Sequence, residues 1–277
     1  MNKIMTKLQG PVPQIMGILN VTPDSFSDGG KFTSPDRVLN QINAMLAHGV
    51  DIIDVGGEST RPGAQAVSEE AELDRVIPVI KAIREITDIP VSVDTSKPAV
   101  MQAAIEAGAD IINDVRALQE DGAVEMAAKL DVPVCLMHMQ GQPRTMQENP
   151  QYNDVTSDVM SFFEERIDVC SNAGISRDKI MLDPGFGFGK TLEHNYRLLS
   201  ELDLFQELNL PILVGMSRKS MIGNLLNVDT HERLAGSLAC AVIAAQKGAK
   251  VIRVHDVKET VEAIKIWKAT QFGVFGE

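Results

Sequence analysis

Eight short apolar runs, separated by stretches with helical spacing, constrain the fold of this chain more than any other feature. They cover residues 14–20, 51–55, 90–94, 110–115, 133–138, 179–183, 211–215 and 250–255. Each is rich in β-branched residues and nearly continuous in its apolarity, as strands covered on both faces must be. Between them, Leu73, Val76, Ile77, Ile80 and Ile83 share one helical face, and so do Val155, Val159, Phe162, Phe163, Ile167 and Cys170. Pro78 falls inside the first pattern and predicts a kink or a later helix start. A local echo recurs in Ala47-His48-Gly49-Val50-Asp51, Ala107-Gly108-Ala109-Asp110 and Gln246-Lys247-Gly248-Ala249-Lys250. Each copy reads as a helix ending on glycine, then a short turn into a strand. Eight βα units in series predict an α/β fold, a single closed (β/α)8 TIM barrel over residues 1–277. Their even spacing favours closure over a doubly wound sheet. A hydrophobic content of 44% fills such a core, and 4% aromatic residues make its packing aliphatic.

Two of the runs pass into polar, Gly-rich loops with no apolar periodicity, after Asn20 and after Val55. Loops of this kind build no core and are placed for a ligand. A net charge of −12 argues against nucleic acid or an anionic membrane as partner. An anionic small substrate would therefore need locally gathered cations. Cys135, Cys170 and Cys240 are far apart and form no C-x-x-C, so buried thiols in a reducing cytoplasm are expected. Residues 1–10 contain lysines but no apolar core segment, and no run approaches about 18 apolar residues. The expectation is a soluble, cytoplasmic protein.

The runs end in an unusual set of residues: Asn20, Asp54, Asp94, Asn113 with Asp114, Met137 with His138, Asp183, Lys219 just beyond the seventh, and Arg253 with His255. Any one of them is explained by capping the helix that follows. Together, Asp94, Asn113 and Asp183 would converge on the barrel mouth, where acceptors suit a heterocycle with ring N–H and amino donors. Opposite in sign are Arg61, Lys219, Arg253 and His255, with the hydroxyls of Thr60 and Ser217. Cations gathered at one face of an acidic protein predict a bound anion such as a phosphate ester. Ion pairing with nearby carboxylates competes, and for Arg253 alone it is equally good. The string Gly185-Phe186-Gly187-Phe188-Gly189-Lys190-Thr191 approaches a Walker A loop, but Pro184 stands where that loop needs its first glycine. A tight loop exposing Phe186 or Phe188 as an aromatic platform is predicted instead. His48, His194 and His231 read as surface or capping residues. No His/Asp/Glu cluster has structural metal spacing, so any metal would be Mg²⁺ bridging substrate phosphates, with few protein ligands.

Seven segments carry a family resemblance: residues 17–30, 54–63, 92–95, 112–115, 183–190, 215–220 and 253–256. Over essentially its full length the chain resembles the dihydropteroate synthases, and it departs from their pattern at no position that the family uses. The resemblance implies condensation of 6-hydroxymethyl-7,8-dihydropterin pyrophosphate with p-aminobenzoate, giving 7,8-dihydropteroate and pyrophosphate. It implies a pterin site of Asp94, Asn113, Met137, Asp183 and Lys219. The pyrophosphate side would be Asn20, Thr60, Arg61, Ser217, Arg253 and His255, with Mg²⁺ at Asn20. Phe26, Thr60, Pro62, Phe188, Lys219 and Ser220 would form the p-aminobenzoate pocket. Asp94, Lys219, Arg253 and His255 would be the catalytic groups, and the protein a homodimer. Two competing readings are a Schiff-base aldolase using Lys219 and a non-catalytic pterin-binding module, which would have no use for the anion set.

Overall fold

A computed structural model describes residues 3–22, 35–59, 66–141, 146 and 150–274. The strands are β1 (Gln14–Asn20), β2 (Ile52–Gly56), β3 (Val91–Asp94), β4 (Ile111–Asp114), β5 (Val134–Met137), β6 (Ile180–Asp183), β7 (Leu213–Val214) and β8 (Val251–Val254). They pair in parallel in the order β6-β5-β4-β3-β2-β1-β8-β7, and a parallel bridge between Leu182 and Ile212 joins the two ends. The predicted barrel is therefore the observed fold, and each strand lies within a residue or two of its apolar run. β7 is shorter than its run, and Ile212 before it forms an isolated bridge to Leu182.

The helices are α1 (Lys3–Lys7), α2 (Pro35–Ala47), α3 (Glu69–Ile86), α4 (Pro98–Glu106), α5 (Ala123–Leu130), α6 (Val155–Asn172), α7 (Leu192–Ser200), α8 (Ser220–Leu226), α9 (Leu234–Gln246) and α10 (Val257–Phe272). None among the described residues is long and apolar enough to cross a membrane. Ser68 caps α3 by accepting from the Ala71 N–H at 3.3 Å, a contact of a kind worth about 1 kcal/mol. α3 begins at Glu69, well before Pro78, so the later helix start is not what is observed. Pro78 lies on the exposed face, where water can take up the carbonyl that its missing N–H leaves free.

Side chains alternate along each strand, and that alternation fixes where chemistry can sit. One parity packs outward: Ile15, Ile53, Val93, Ile112, Leu136, Leu182, Val214 and Ile252 join helix residues such as Ile42, Ile80, Phe163 and Val257 in the main core. The other parity points into the barrel. Its lower layer is Met16, Ile52, Ile111, Cys135, Met181, Leu213 and Val251, sealed from below by Ile4, Met5 and Leu8. Two residues further along the same parity come Asp54, Asn113, Met137, Asp183 and Arg253. Asp54, Asn113, Asp183 and Arg253 thus face inward on top of an apolar plug, whereas Asp114 and His138 have the outward parity.

The echoed turns tie the lower end together. Gly49, Gly108 and Gly248 have φ of +82°, +113° and +88°. The polar residue two positions later in each copy makes a specific tie. Asp51 accepts from the Ile15 N–H at 2.9 Å, Asp110 from the Val91 N–H at 2.9 Å, and Lys250 donates to the Gly10 carbonyl at 2.9 Å.

Candidate active site

Strand register brings the mouth residues into line. Asn20 is opposite Gly56, Gly56 opposite Asp94, Asp94 opposite Asn113, and Met137 opposite Asp183. Arg253 starts lower, opposite Met16, and reaches up between the carboxylates. Its Nε donates to Asp54 Oδ2 at 2.6 Å and its Nη2 to Asp94 Oδ2 at 2.8 Å. Asp54 is fully buried and also accepts from Asn113 Nδ2, at 3.3 and 3.4 Å. Burial disfavours the Arg253 charge, but Asp54 and Asp94 outweigh it and hold the guanidinium above the usual arginine range. Burial pushes Asp94 up to about 7 against the pull of Arg253, and neighbouring carboxylates add to the rise. The ion-pair reading of Arg253 is therefore the one these contacts describe.

On the opposite wall, Asp183 Oδ1 accepts from the Gly185 N–H at 2.8 Å. Burial raises the Asp183 pKa, and the Lys219 charge opposes that rise most strongly. Lys219 donates to the Phe186 carbonyl and lies 4.5 Å from the centre of the Phe188 ring. Its pKa falls to about 8 because it is desolvated, with Asp183 resisting the fall. Of the two phenylalanines predicted as a platform, Phe186 is fully buried in the main core. Phe188 packs with Val115, Met137 and Met146 beside the site.

The loops after β7 and β8 are stitched together. Ser217 Oγ accepts from the His255 N–H at 3.1 Å and lies 3.2 Å from its Nδ1. Arg218, at φ +58°, pairs with Asp256, and its N–H is received by Ser237 at 3.0 Å. Ser220 is the first residue of α8 and is exposed. Phe26, Thr60, Arg61 and Pro62 lie outside the described residues.

Asp114, by contrast, is structural. Its carboxylate accepts from Ser96, from the Arg116 N–H at 2.8 Å and from the Leu118 N–H at 2.7 Å. His48 and His231 are exposed, and His194 completes a capping box with Thr191, as expected. Sequence reasoning gave Asp54 no site role, although it is the carboxylate that Arg253 and Asn113 share. It also missed Lys97, which bridges Glu58 at the start of the loop after β2 to the buried Glu72 on α3. Three positions so far apart in sequence carry no local pattern that links them. Among the described residues, no group of three or more His, Cys, Asp or Glu is placed to hold a metal ion.

A closed parallel barrel with carboxylates, an amide and a lysine converging on its mouth is the framework of the pterin binding enzymes, and the model of that family matches residues 16–255. A dihydropteroate synthase of Escherichia coli (strain K12) is 60% identical over 265 residues, covering 96% of this chain and 94% of the relative. The crystal structure of the Yersinia pestis dihydropteroate synthase with a sulfonamide drug complex superposes with a TM-score of 0.91 at 58% identity, covering 95% of each chain. A Xanthomonas albilineans dihydropteroate synthase in complex with 7,8-dihydropteroate has a TM-score of 0.86 at 46% identity over 94% of each. The chain belongs to the dihydropteroate synthase family and is a transferase of folate biosynthesis. The aldolase and the non-catalytic module are thereby set aside.

Proposed function

We propose that the chain joins the exocyclic carbon of 6-hydroxymethyl-7,8-dihydropterin pyrophosphate to the amine of p-aminobenzoate. The observation that carries this reading is the inward-facing set of Asp94, Asn113 and Asp183, with Lys219 and Arg253 between the carboxylates. Asp183 and Asn113 supply acceptors for the ring donors, Met137 packs beside them, and Lys219 reaches the ring edge. The bond from carbon to the pyrophosphate oxygen breaks with its electron pair leaving on the phosphate. The dihydropterin spreads the resulting positive charge, and Asp94 offers negative potential near it. The amine lone pair then forms the C–N bond, and the ammonium proton passes to solvent. Such a route needs orientation and electrostatic stabilisation and no protein nucleophile.

On this reading, Asn20, Ser217, Arg253 and His255 receive the leaving anion together with Thr60 and Arg61. Phe26, Pro62, Phe188 and Ser220 frame p-aminobenzoate. Asn20 fits a role at Mg²⁺. It is half-buried at the end of β1, and its Oδ1 stands over Gly56, where an added Cβ would come within 3.3 Å. Its one neutral oxygen would hold the ion, which would supply positive charge to the phosphates of the substrate. A homodimer is supported by exposed Leu192, Leu225, Leu226 and Ile243 on α7, α8 and α9. A cytoplasmic setting is supported by three buried, unbridged cysteines.

The test is pyrophosphate release from the dihydropterin pyrophosphate with Mg²⁺, measured with and without p-aminobenzoate. Rapid release coupled to dihydropteroate formation is expected only with both substrates, and no coupled product would overturn the reading. The anion side is tested separately. His255→Ala is expected to weaken binding of the pyrophosphate ester about tenfold, as for a lost charge-assisted hydrogen bond. The pterin alcohol, which lacks the phosphates, should bind within about threefold of its original affinity. Equal losses for the two ligands in calorimetry would make His255 a structural residue.

A further inference from the structure

In the Gly185–Lys190 string the reaction uses Phe188 but gives Lys190 no role, and that lysine is turned into the protein. Lys190 is 2% exposed. Its Nζ lies 2.9 Å from His138 Nδ1, 3.0 Å from the Gly185 carbonyl, 3.0 Å from the Phe188 carbonyl and 3.3 Å from the His138 carbonyl. One side chain thus joins the loop after β6 to the loop after β5. The glycines explain how the two loops approach so closely. Gly185 and Gly189 have φ of +70° and +60°, and an added Cβ would meet the His138 carbonyl oxygen at 1.9 Å and the Gln140 carbonyl oxygen at 2.4 Å. His138 is itself buried, with the Phe162 ring edge-on at 4.9 Å between centroids. Burial lowers the His138 pKa to about 2, and the Lys190 charge adds to the fall.

What hangs on this staple is the wall that holds Lys219. The Phe186 carbonyl receives the Lys219 ammonium, and the Phe188 ring lies against it. Lys190 donates to the Phe188 carbonyl and, at the loop's start, to the carbonyl of Gly185, whose N–H is held by Asp183. We propose that Lys190 is a positioning residue for p-aminobenzoate binding: with His138 as its partner, it fixes the Gly185–Gly189 loop and so sets the relation of Phe188 to Lys219. The inference rests on the reading of Phe188 and Lys219 as part of the p-aminobenzoate pocket.

Lys190→Met removes the staple but leaves three other anchors, the first being the Gly185 N–H on Asp183 Oδ1. Gly187 N–H still donates to Asn195 Oδ1 at 2.6 Å, and Tyr152 still donates to the Gly189 carbonyl at 2.7 Å. The variant is therefore expected to fold. Its KM for p-aminobenzoate should rise at least tenfold while its KM for the dihydropterin pyrophosphate changes less than threefold, figures that follow from a loop displaced on one side of the site only. Equal changes in both constants, or none, would overturn the proposal. If Lys190→Met does not fold, the decision passes to His138. His138→Asn keeps a hydrogen-bonding atom near the place of Nδ1 and should retain the original KM for p-aminobenzoate, whereas His138→Leu should raise it several-fold. Indistinguishable His138 variants would also overturn it. Absence of synthase activity in the unmutated protein is a separate result, which would sink the functional reading itself.

Discussion

Arg253→Met is expected to lower stability by about 3–5 kcal/mol at alkaline pH and to abolish turnover. The physical reason is the company that Arg253 keeps. It is the cation that directly bonds both Asp54 and Asp94, whose side chains are 0% and 9% exposed. Removing it leaves two carboxylates facing each other away from water, a far larger cost than losing a surface pair. The pH dependence follows from Asp94, whose pKa is already raised to about 7 with Arg253 in place. A raised acid pKa means that the folded chain binds a proton that the unfolded chain has released, so stability falls as pH rises towards that pKa. Without Arg253 the Asp94 pKa rises further. Below about pH 7 both proteins carry protonated Asp94 and the gap between them is constant; above it the gap widens. Urea unfolding at pH 6 and pH 9 measures this directly. A loss of the same size at both pH values would show that Asp94 is not the group left uncompensated. The double variant Arg253→Met/Asp94→Asn should recover part of the loss at pH 9.

The barrel was legible because its signal is periodic and local. Doubly covered strands announce themselves as continuous β-branched runs, and the Gly49, Gly108 and Gly248 echoes mark the same turn each time. The inward set was legible for the same reason, since Asp54, Asn113, Asp183 and Arg253 share parity with the plug residues two positions before them. Tertiary partners were not legible. Arg166 lies on the buried face of α6, where Phe163 and Cys170 predict an apolar neighbour. Its guanidinium instead holds the carbonyls of Ala117 and Leu118, at 3.0 and 3.1 Å. Both of those residues have positive φ, and no glycine betrays the conformation. The local rule at Pro78 allowed two outcomes, and α3 beginning at Glu69 excludes the later start. The missing first glycine argues against Lys190 as a Walker A phosphate ligand, and its ammonium is held by backbone carbonyls and His138. Its actual partner, His138, comes from another strand end, a pairing that only closure of the barrel creates.

Asp183→Asn is expected to weaken pterin binding by tenfold or more, on the order of 1–3 kcal/mol. Asp183 Oδ1 is committed to the Gly185 N–H at 2.8 Å, which leaves the other oxygen for a ring donor of the ligand. The residue is 6% exposed, so water cannot repair a mismatch. An asparagine has one oxygen and one NH₂, and the two partners are both donors. If the amide nitrogen turns to the ligand, a donor meets a donor in the pterin site and affinity falls while the loop stays anchored. If it turns to Gly185, the anchor of the Gly185–Gly189 loop is lost. Thermal stability then falls, and affinity falls as well because the pterin meets a neutral amide oxygen where a carboxylate stood. The loss of the carboxylate charge beside Lys219 adds to either outcome, because Asp183 is the strongest influence resisting the fall in that lysine's pKa. Calorimetric titration with a pterin, alongside a thermal melt, separates the two arrangements. Unchanged pterin affinity in a folded Asp183→Asn variant would remove Asp183 from the site.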